Sequence, residues 1–353
     1  MSPTDTFTPP SLEEARQLYQ AAVRVKELAP WTWMEESDIF GVQNPETDEL
    51  AFVSIMGMAG EHFAVAIYRG AEGLYGILDF ASGDVTINPQ QLLDIPQLQA
   101  SFENRDQLDK QDRDVIKQLG LKFRGAHAWP MFRSYTPGFM PWYVTAAEAR
   151  CLTHALSQTL VVAPRVKDNP DVLYAKDDPD DDTYLVRVPH RQGDDLVWAD
   201  EMMHVPPLEP VSIPVVFDME VINQVKQLPR RELELEIDLF SLPTGVGERG
   251  ARPYRPYMLM TADSRSGLII GAEMLKPEPS LAEMHGLLPM KLADELAQIG
   301  VVPGEIKARS ELLLELLRTL ADALHIKLTQ SDQLPGIDAA MDSMFSWLTG
   351  GEF

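Results

Sequence analysis

The order of secondary-structure patterns after Glu232 constrains the fold of this chain more than any other feature. From there the sequence predicts three strands, then a helix, a strand, a helix, a strand and a helix. Residues 232–239 alternate acidic and apolar side chains without interruption, which is typical of a strand with two different faces. Residues 257–262 and 268–275 follow as a hairpin, and residues 305–309 form a strand that begins after a helix. Because strands separated by helices are parallel and joined by right-handed crossovers, we predict a three-layer α/β domain.

The residues before this segment predict a different arrangement, an α+β domain over residues 1–205. Ser11 and Glu14 form a capping-box pattern at the start of an amphipathic helix, and strand patterns separated by turn residues follow it. Residues 206–214 contain four prolines, which exclude a helix there and weaken any central strand. We therefore predict a Pro-rich linker and connecting helix at 206–230, followed by the α/β domain at 231–353.

Charge and cysteine content limit the partners and the compartment that we expect. The net charge is −24, which opposes nonspecific nucleic-acid binding because that binding depends on cations that contact phosphate. The one cysteine, Cys151, cannot form an internal disulfide and lies in an amphipathic helix, where it is expected to be near the core. Residues 1–10 have no signal-peptide pattern, and no apolar run reaches the length of a membrane span. We predict a cytoplasmic protein that has no membrane segment and favours a protein partner.

Short segments in both halves of the chain resemble domains that have no assigned activity. One set of segments is similar to an uncharacterised bacterial domain: residues 33–42, 53–57 and 68–74. A second set resembles another uncharacterised domain that is often found with the first: residues 252–257, 306–309 and 334–337. Neither resemblance implies an activity, a catalytic residue or a cofactor.

The element order over residues 232–353 also resembles that of the ribonuclease H-like superfamily, an analogy at the level of fold. In active members of that superfamily, carboxylates on the first strand, the fourth strand and a later helix hold two divalent ions. The resemblance places Asp238 at the first position and Arg309 near the second, with Asp338 or Asp342 at the third. An arginine at the second position would repel the metal, so the resemblance implies the frame without its catalysis.

Three interpretations of the acidic strand remain open from the sequence. Its acidic face could lie in solvent, could hold a metal through Asp238, or could pair with the cations of the neighbouring strand. We favour pairing of Asp238 or Glu236 with Arg309 or Lys307, because opposite charges on adjacent strands stabilise a sheet by about 0.2–1 kcal/mol per pair. No metal ligand set is predicted, since the seven histidines show no metal-ligand spacing.

Two clusters of aromatic residues and arginines are candidate binding surfaces. The first comprises Trp129, Arg133, Tyr135 and Trp142, and the second comprises Arg252, Tyr254, Arg255 and Tyr257. Tyr, Trp and Arg are enriched among interface anchors, and arginine recognises carboxylates and phosphates. For the first cluster we favour the other interpretation, in which its aromatic rings cover the core between helices.

Cofactor and catalytic motifs are absent from the sequence. Residues 245–250 match the Gly-rich dinucleotide pattern, but Pro253 and Pro256 follow and exclude the helix that would receive a pyrophosphate. The sequence contains no nucleophile elbow and no phosphate-binding loop. We therefore predict no cofactor and a non-catalytic binding or adaptor module. The alternative is a metal-dependent hydrolase or nuclease with its site in or beside the ribonuclease H-like domain.

Overall fold

A computed structural model describes residues 7–82, 89–174, 182–193, 195–206, 208 and 213–348. The chain divides into two compact units, with the boundary between residues 210 and 211. Most of the predicted Pro-rich linker at that boundary lies outside the described residues. Among the described residues, no helix is both long enough and apolar enough to cross a bilayer.

The N-terminal unit is built from helices and one large sheet. Its described α-helices are α1 (Leu12–Leu28), α2 (Gly70–Ser82), α3 (Lys110–Gln118) and α4 (Ala146–Asp168). Its strands are β1 (Phe40–Gln43), β2 (Leu50–Met56), β3 (Ala64–Arg69), β4 (Gln97–Glu103), β5 (Trp129–Tyr135), β6 (Thr183–Gln192) and β7 (Asp195–His204). Short 3-10 helices occur at Pro30–Thr32, Pro89–Asp94 and Pro170–Leu173. The capping box predicted by Ser11 is formed, and Thr145 forms a second one with Glu148, so local hydrogen bonds start α1 and α4.

The seven strands form one sheet in the order β5-β4-β3-β2-β1-β6-β7. Neighbouring strands are antiparallel except β1 and β6, which pair in parallel. Helices α1 and α4 cover one face of the sheet, where Val53, Ile67 and Leu98 are fully buried or nearly so. Helix α2 covers part of the other face and packs Leu74 against Phe52.

The C-terminal unit has the element order that the sequence predicts. Its strands are β8 (Glu234–Ser241), β9 (Tyr257–Asp263), β10 (Ile269–Leu275), β11 (Glu305–Ala308) and β12 (Lys327–Gln330). Its described helices are α5 (Met219–Lys226), α6 (Leu281–Gly286), α7 (Leu288–Ile299), α8 (Glu311–Leu324) and α9 (Pro335–Leu348). The sheet order is β10-β9-β8-β11-β12, with β9 antiparallel to both of its neighbours and β11 parallel to β8 and to β12.

Helices cover both faces of this second sheet, which gives three layers. On one face Leu235 and Ile237 of β8 pack against α5, α7 and α8. On the other face Phe240 of β8 packs with Leu334 and Ile337 at the start of α9. Residues 236 and 238 lie between these apolar positions and face α9, because side chains alternate along a strand.

The structure adds one strand to the sequence-based description and excludes one interpretation of the acidic strand. Residues 129–135 are a strand of the large sheet, in which buried side chains alternate with partly buried ones. The acidic face of β8 does not lie in solvent: Glu236 is fully buried and Asp238 is 5% exposed. Pro289 lies in the first turn of α7, where a missing N–H is tolerated.

Candidate functional site

A cluster of charged side chains lies where β8, the end of β11 and the start of α9 meet. Arg309 follows β11 and its Nη1 donates to Asp238 Oδ2 at 2.9 Å, while its Nη2 donates to Asp338 Oδ1 at 2.5 Å. Asp238 is almost fully buried, whereas the side chains of Arg309 and Asp338 are 35% and 45% exposed. One guanidinium therefore joins carboxylates from a central strand and from the last helix.

The other residues of this sequence-predicted site have different partners. Glu236 pairs with no cation among the described residues. Its Oε2 accepts from the backbone N–H groups of Gly336 and Ile337, at 2.9 and 3.2 Å, at the start of α9. A carboxylate at a helix N-terminus is stabilised by these free donors and by the helix dipole. Lys307 pairs instead with Glu234, at 2.9 Å near the surface.

Gly336 is required for the close contact between α9 and β8. A Cβ atom at this position would lie 3.1 Å from both Glu236 Oε2 and Ala262 Cβ, and 3.2 Å from Gly267 Cα. These contacts are tighter than ordinary van der Waals packing, so a side chain here would push the helix away from the carboxylate that caps it. This requirement explains a glycine within the first turn of the helix.

Burial raises the pKa of Asp238 to about 6, and the nearby Arg309 only partly opposes this shift. The carboxyl group therefore takes up a proton on folding near pH 5, since its unfolded pKa is about 3.9. A pKa raised by folding means that the stability contributed by this group is greatest below the unfolded pKa and falls as the pH rises through the folded pKa.

We expect Asp238→Asn to stabilise the C-terminal unit at pH 8 by up to about 2–3 kcal/mol, because a neutral amide avoids the burial of a charge. At pH 4 the variant and the wild type should have nearly equal stability, since the aspartic acid is then protonated. Urea unfolding at several pH values, monitored through amide hydrogen exchange of β8, would measure this difference in stability. Parallel stability curves for the two proteins between pH 4 and 8 would contradict the prediction.

The cluster has the chemistry of an internal ion pair. A hydrolytic metal site needs convergent carboxylates that face an open coordination position. Here the guanidinium occupies the space between Asp238 and Asp338. Among the described residues, no group of three or more His, Cys, Asp or Glu side chains is arranged to hold a metal ion.

The first predicted binding surface is largely engaged in contacts within the N-terminal unit. Arg133 donates in a bidentate manner to Asp112, through Nη1 to Oδ1 at 2.9 Å and through Nη2 to Oδ2 at 2.7 Å. Tyr135 donates to Gln99 Oε1 at 3.0 Å. Arg133 therefore fastens β5 to α3 and is not available as an anchor for a ligand.

The two tryptophans of this surface also contact neighbouring rings. Trp129 packs edge-on against Phe123, with ring centroids 5.8 Å apart, and Trp142 packs in the same manner against Tyr143 at 5.0 Å. The backbone of Trp142 pairs with Ser134 and so protects the outer side of β5. Trp129 also packs against the main core, which supports the interpretation that the aromatic rings cover the core.

The second predicted surface is mostly internal. Arg255 is 1% exposed and Tyr257 is 6% exposed, so neither lies on the surface where the sequence predicted a basic and aromatic spot. Arg255 Nη2 donates to the Tyr257 hydroxyl at 3.3 Å. Tyr254 pairs through its backbone with Val246 and its ring lies under the Lys276 ammonium. Arg252 is partly buried in the same loop.

Cys151 packs partly buried against the N-terminal core, as its position in an amphipathic helix predicted. Burial raises the pKa of its thiol to about 11. A thiol that stays protonated at neutral pH is a poor nucleophile. The structure therefore gives Cys151 a packing role.

Sequence reasoning missed a row of buried polar side chains on β4, comprising Gln97, Gln99, Ser101 and Glu103, each less than 9% exposed. They alternate with Leu98, Ala100 and Phe102, which belong to the main core. The alternation itself was visible, but it is the same pattern that a strand with one solvent-facing side would have. His62, in the loop before β3, contacts two members of this row, Gln99 and Glu103.

Comparison with known proteins gives two family matches that cover most of the chain. Residues 16–187 match a family model described as Domain of unknown function (DUF7309). Residues 221–345 match a second family model, described as Domain of unknown function (DUF6930). No curated protein matches the chain. The resemblance to two uncharacterised domains is thus confirmed.

Proposed function

We propose that the C-terminal unit is a ribonuclease H-like frame without catalysis and that the protein is a non-catalytic binding module. The strand order β10-β9-β8-β11-β12 supports the ribonuclease H-like frame. In this sheet β8 is antiparallel to β9 and parallel to β11. The packing of α9 on the face of β8 that carries Phe240 supports this frame as well.

The observation that carries the proposal is the position of Arg309. Its guanidinium contacts both Asp238 and Asp338. The resemblance assigns Asp238 to the first metal-binding position and either Asp338 or Asp342 to the third. A fixed positive charge there opposes the entry of a divalent cation by Coulomb repulsion. It also satisfies the carboxylates, which removes the charge that would attract the ion.

The first test of this proposal is turnover of nucleic acid. Purified protein incubated with single-stranded and double-stranded DNA and RNA, in Mg²⁺ or in Mn²⁺, should leave all four substrates intact. Asp238→Asn serves as the matched control for contaminating nucleases. Metal-dependent cleavage by the wild type that Asp238→Asn abolishes would instead establish the nuclease alternative.

The edge strand β10 is the surface that we propose for binding a protein partner. Leu268, which directly precedes the strand, is 67% exposed, and Met274, which lies within it, is 58% exposed. An edge strand with exposed apolar side chains offers free backbone groups for the addition of another strand.

The charges near β10 define the kind of partner strand. Glu273 lies on the strand and pairs with Lys291 of α7 at 2.5 Å. The Glu295 carboxylate of α7 stands over Gly271 so closely that a Cβ there would be 2.5 Å from it, which adds a second carboxylate beside the strand. Because the whole chain is also strongly acidic, we propose an extended partner segment with apolar residues around a central lysine or arginine.

Replacing Leu268 and Met274 together by lysine should abolish this binding, since edge lysines block strand addition and repel a basic segment. The matched control replaces Met219 and Leu312, exposed apolar residues elsewhere in the same unit, by lysine. We expect affinity capture to give a partner with the wild type and the control but not with the edge variant. Equal capture by all three proteins would exclude β10 as the binding surface.

A further inference from the structure

Glu103 is a buried carboxylate with no hydrogen-bond donor within the described part of the chain. The residue is 6% exposed and lies in β4, on the face that carries the polar row. Its nearest cationic or potentially cationic group is His62, whose Nδ1 is 3.8 Å from Glu103 Oε1. This separation is too long for a hydrogen bond. Few water molecules can reach this carboxylate, so a cation bound to it would stabilise its charge.

The distance between His62 Nδ1 and Glu103 Oε1 suits the coordination of one metal ion by both atoms. Zinc lies about 2.0–2.2 Å from histidine nitrogen and from carboxylate oxygen, so one ion can bridge ligand atoms nearly 4 Å apart. We propose that His62 Nδ1 and the Glu103 carboxylate bind a divalent transition-metal ion of the zinc type. No third His, Cys, Asp or Glu joins them among the described residues, so water or a bound molecule completes the coordination.

Gln99 and Tyr135 provide the outer partners that such a histidine requires. The side-chain amide of Gln99 lies 3.4 Å from His62 Nε2, and the Tyr135 hydroxyl lies 3.0 Å from the other end of the same amide. Amide oxygen and nitrogen exchange places by a simple flip, so Gln99 can accept the Nε2 proton of a metal-bound histidine. A histidine whose second nitrogen donates to a carbonyl has the tautomer that leaves Nδ1 free for the metal.

The backbone around His62 is held in place before any ion binds. Phe63 packs against Trp31 at 5.2 Å, and its carbonyl accepts from the backbone of Phe102, next to Glu103, at 2.9 Å. Gly57, with φ near +129°, makes the turn that brings the loop close to Phe63. Because both ligands are attached to this fixed region, little conformational freedom is lost on binding.

A second histidine–glutamate pair in the same unit provides an internal comparison. His190 Nε2 lies 3.7 Å from Glu201 Oε1, but both side chains are about half exposed, at 52% and 45%. Within the part of the chain that the structure describes, no side-chain amide is hydrogen-bonded to this ring, and the half-exposed carboxylate is open to water. The pair has nearly the same separation without the burial and outer partners, so we expect it to bind the ion much more weakly.

Calorimetric titration of metal-free, untagged full-length protein with ZnCl₂ tests the proposal directly. We expect one site in the wild type, with affinity reduced at least about tenfold by His62→Gln or by Glu103→Gln, and less than about twofold by His190→Gln or Glu201→Gln. His62 is partly exposed, so His62→Gln should fold normally, and thermal unfolding without metal checks this. Absence of zinc binding up to millimolar concentration, or equal losses from both pairs, would overturn the proposal.

A third variant separates coordination from a general effect of charge. Gln99→Leu keeps both ligands but removes the partner of His62 Nε2, so it should weaken zinc binding by about 10–100-fold. Cobalt(II) added to the wild type should give visible absorption with a nitrogen ligand, and this absorption should be lost in His62→Gln. Unchanged zinc affinity in Gln99→Leu would contradict the orientation that we assign to the histidine ring.

Discussion

Arg133→Ala is expected to destabilise the N-terminal unit by about 3–5 kcal/mol, the usual effect of breaking a buried ion pair from one side. The side chains of Arg133 and Asp112 are only 13% and 8% exposed. Without the guanidinium, the Asp112 charge stays in a place that water cannot solvate. The contact of β5 with α3 would weaken as well, because this bidentate pair joins the two elements.

Urea unfolding monitored by tryptophan fluorescence would measure this loss of stability, since five of the six tryptophans lie before residue 210. Arg165→Ala is the matched control: Arg165 pairs with Asp200 near the surface, at 2.5 Å, and Arg187 remains as a second partner of Asp200. Arg165→Ala should lower the free energy of unfolding by less than about 1 kcal/mol. Adding Asp112→Asn to Arg133→Ala should recover part of the loss. Equal effects of Arg133→Ala and the control would show that the buried pair contributes little.

Arg309→Ala is expected to destabilise the C-terminal unit by about 2–3 kcal/mol at pH 8, less than a fully buried pair because Arg309 is one-third exposed. The variant leaves Asp238 buried beside Asp338 with no cation. Since Arg309 lowers the pKa of Asp238, its removal should raise that pKa further above 6. The loss of stability should therefore shrink as the pH falls and Asp238 takes up a proton.

A divalent ion should replace the missing charge in this variant. We expect Mn²⁺ to raise the unfolding temperature of Arg309→Ala but to leave the wild type unchanged. Lys307→Ala removes a cation from the same strand that pairs with the exposed Glu234, and it should have neither effect. If Mn²⁺ shifts wild type and variant alike, Arg309 does not occupy a latent metal site and the proposed loss of catalysis loses its physical reason.

Strand β8 shows how far the sequence predicts the site. The alternation of acidic and apolar residues predicted a strand, and the structure has one at Glu234–Ser241. It did not predict that Glu236 is fully buried, because charged residues alternate in the same way along a solvent-exposed strand. Burial of the acidic face depends on α9, whose backbone N–H groups compensate the charge of Glu236 from a distant part of the chain.

The same limit applies to β4 and to the polar residues around His62. Alternation places Gln99 and Glu103 on one face of a strand, but His62 comes from another loop and Tyr135 from another strand. No spacing rule connects these positions, since their approach depends on the order in which β3, β4 and β5 pair. The His62–Glu103 pair is therefore visible only in the folded chain.

The sequence by itself determined the strand and helix order of the C-terminal unit, the helix starts at Ser11 and Thr145, and the absence of known catalytic motifs. These features are local, because periodicity and capping depend on residues a few positions apart. Only the tertiary structure decided which polar faces are buried and which charges meet. Arg309 reaches both Asp238 and Asp338 because sheet pairing and helix packing bring together residues far apart in the chain.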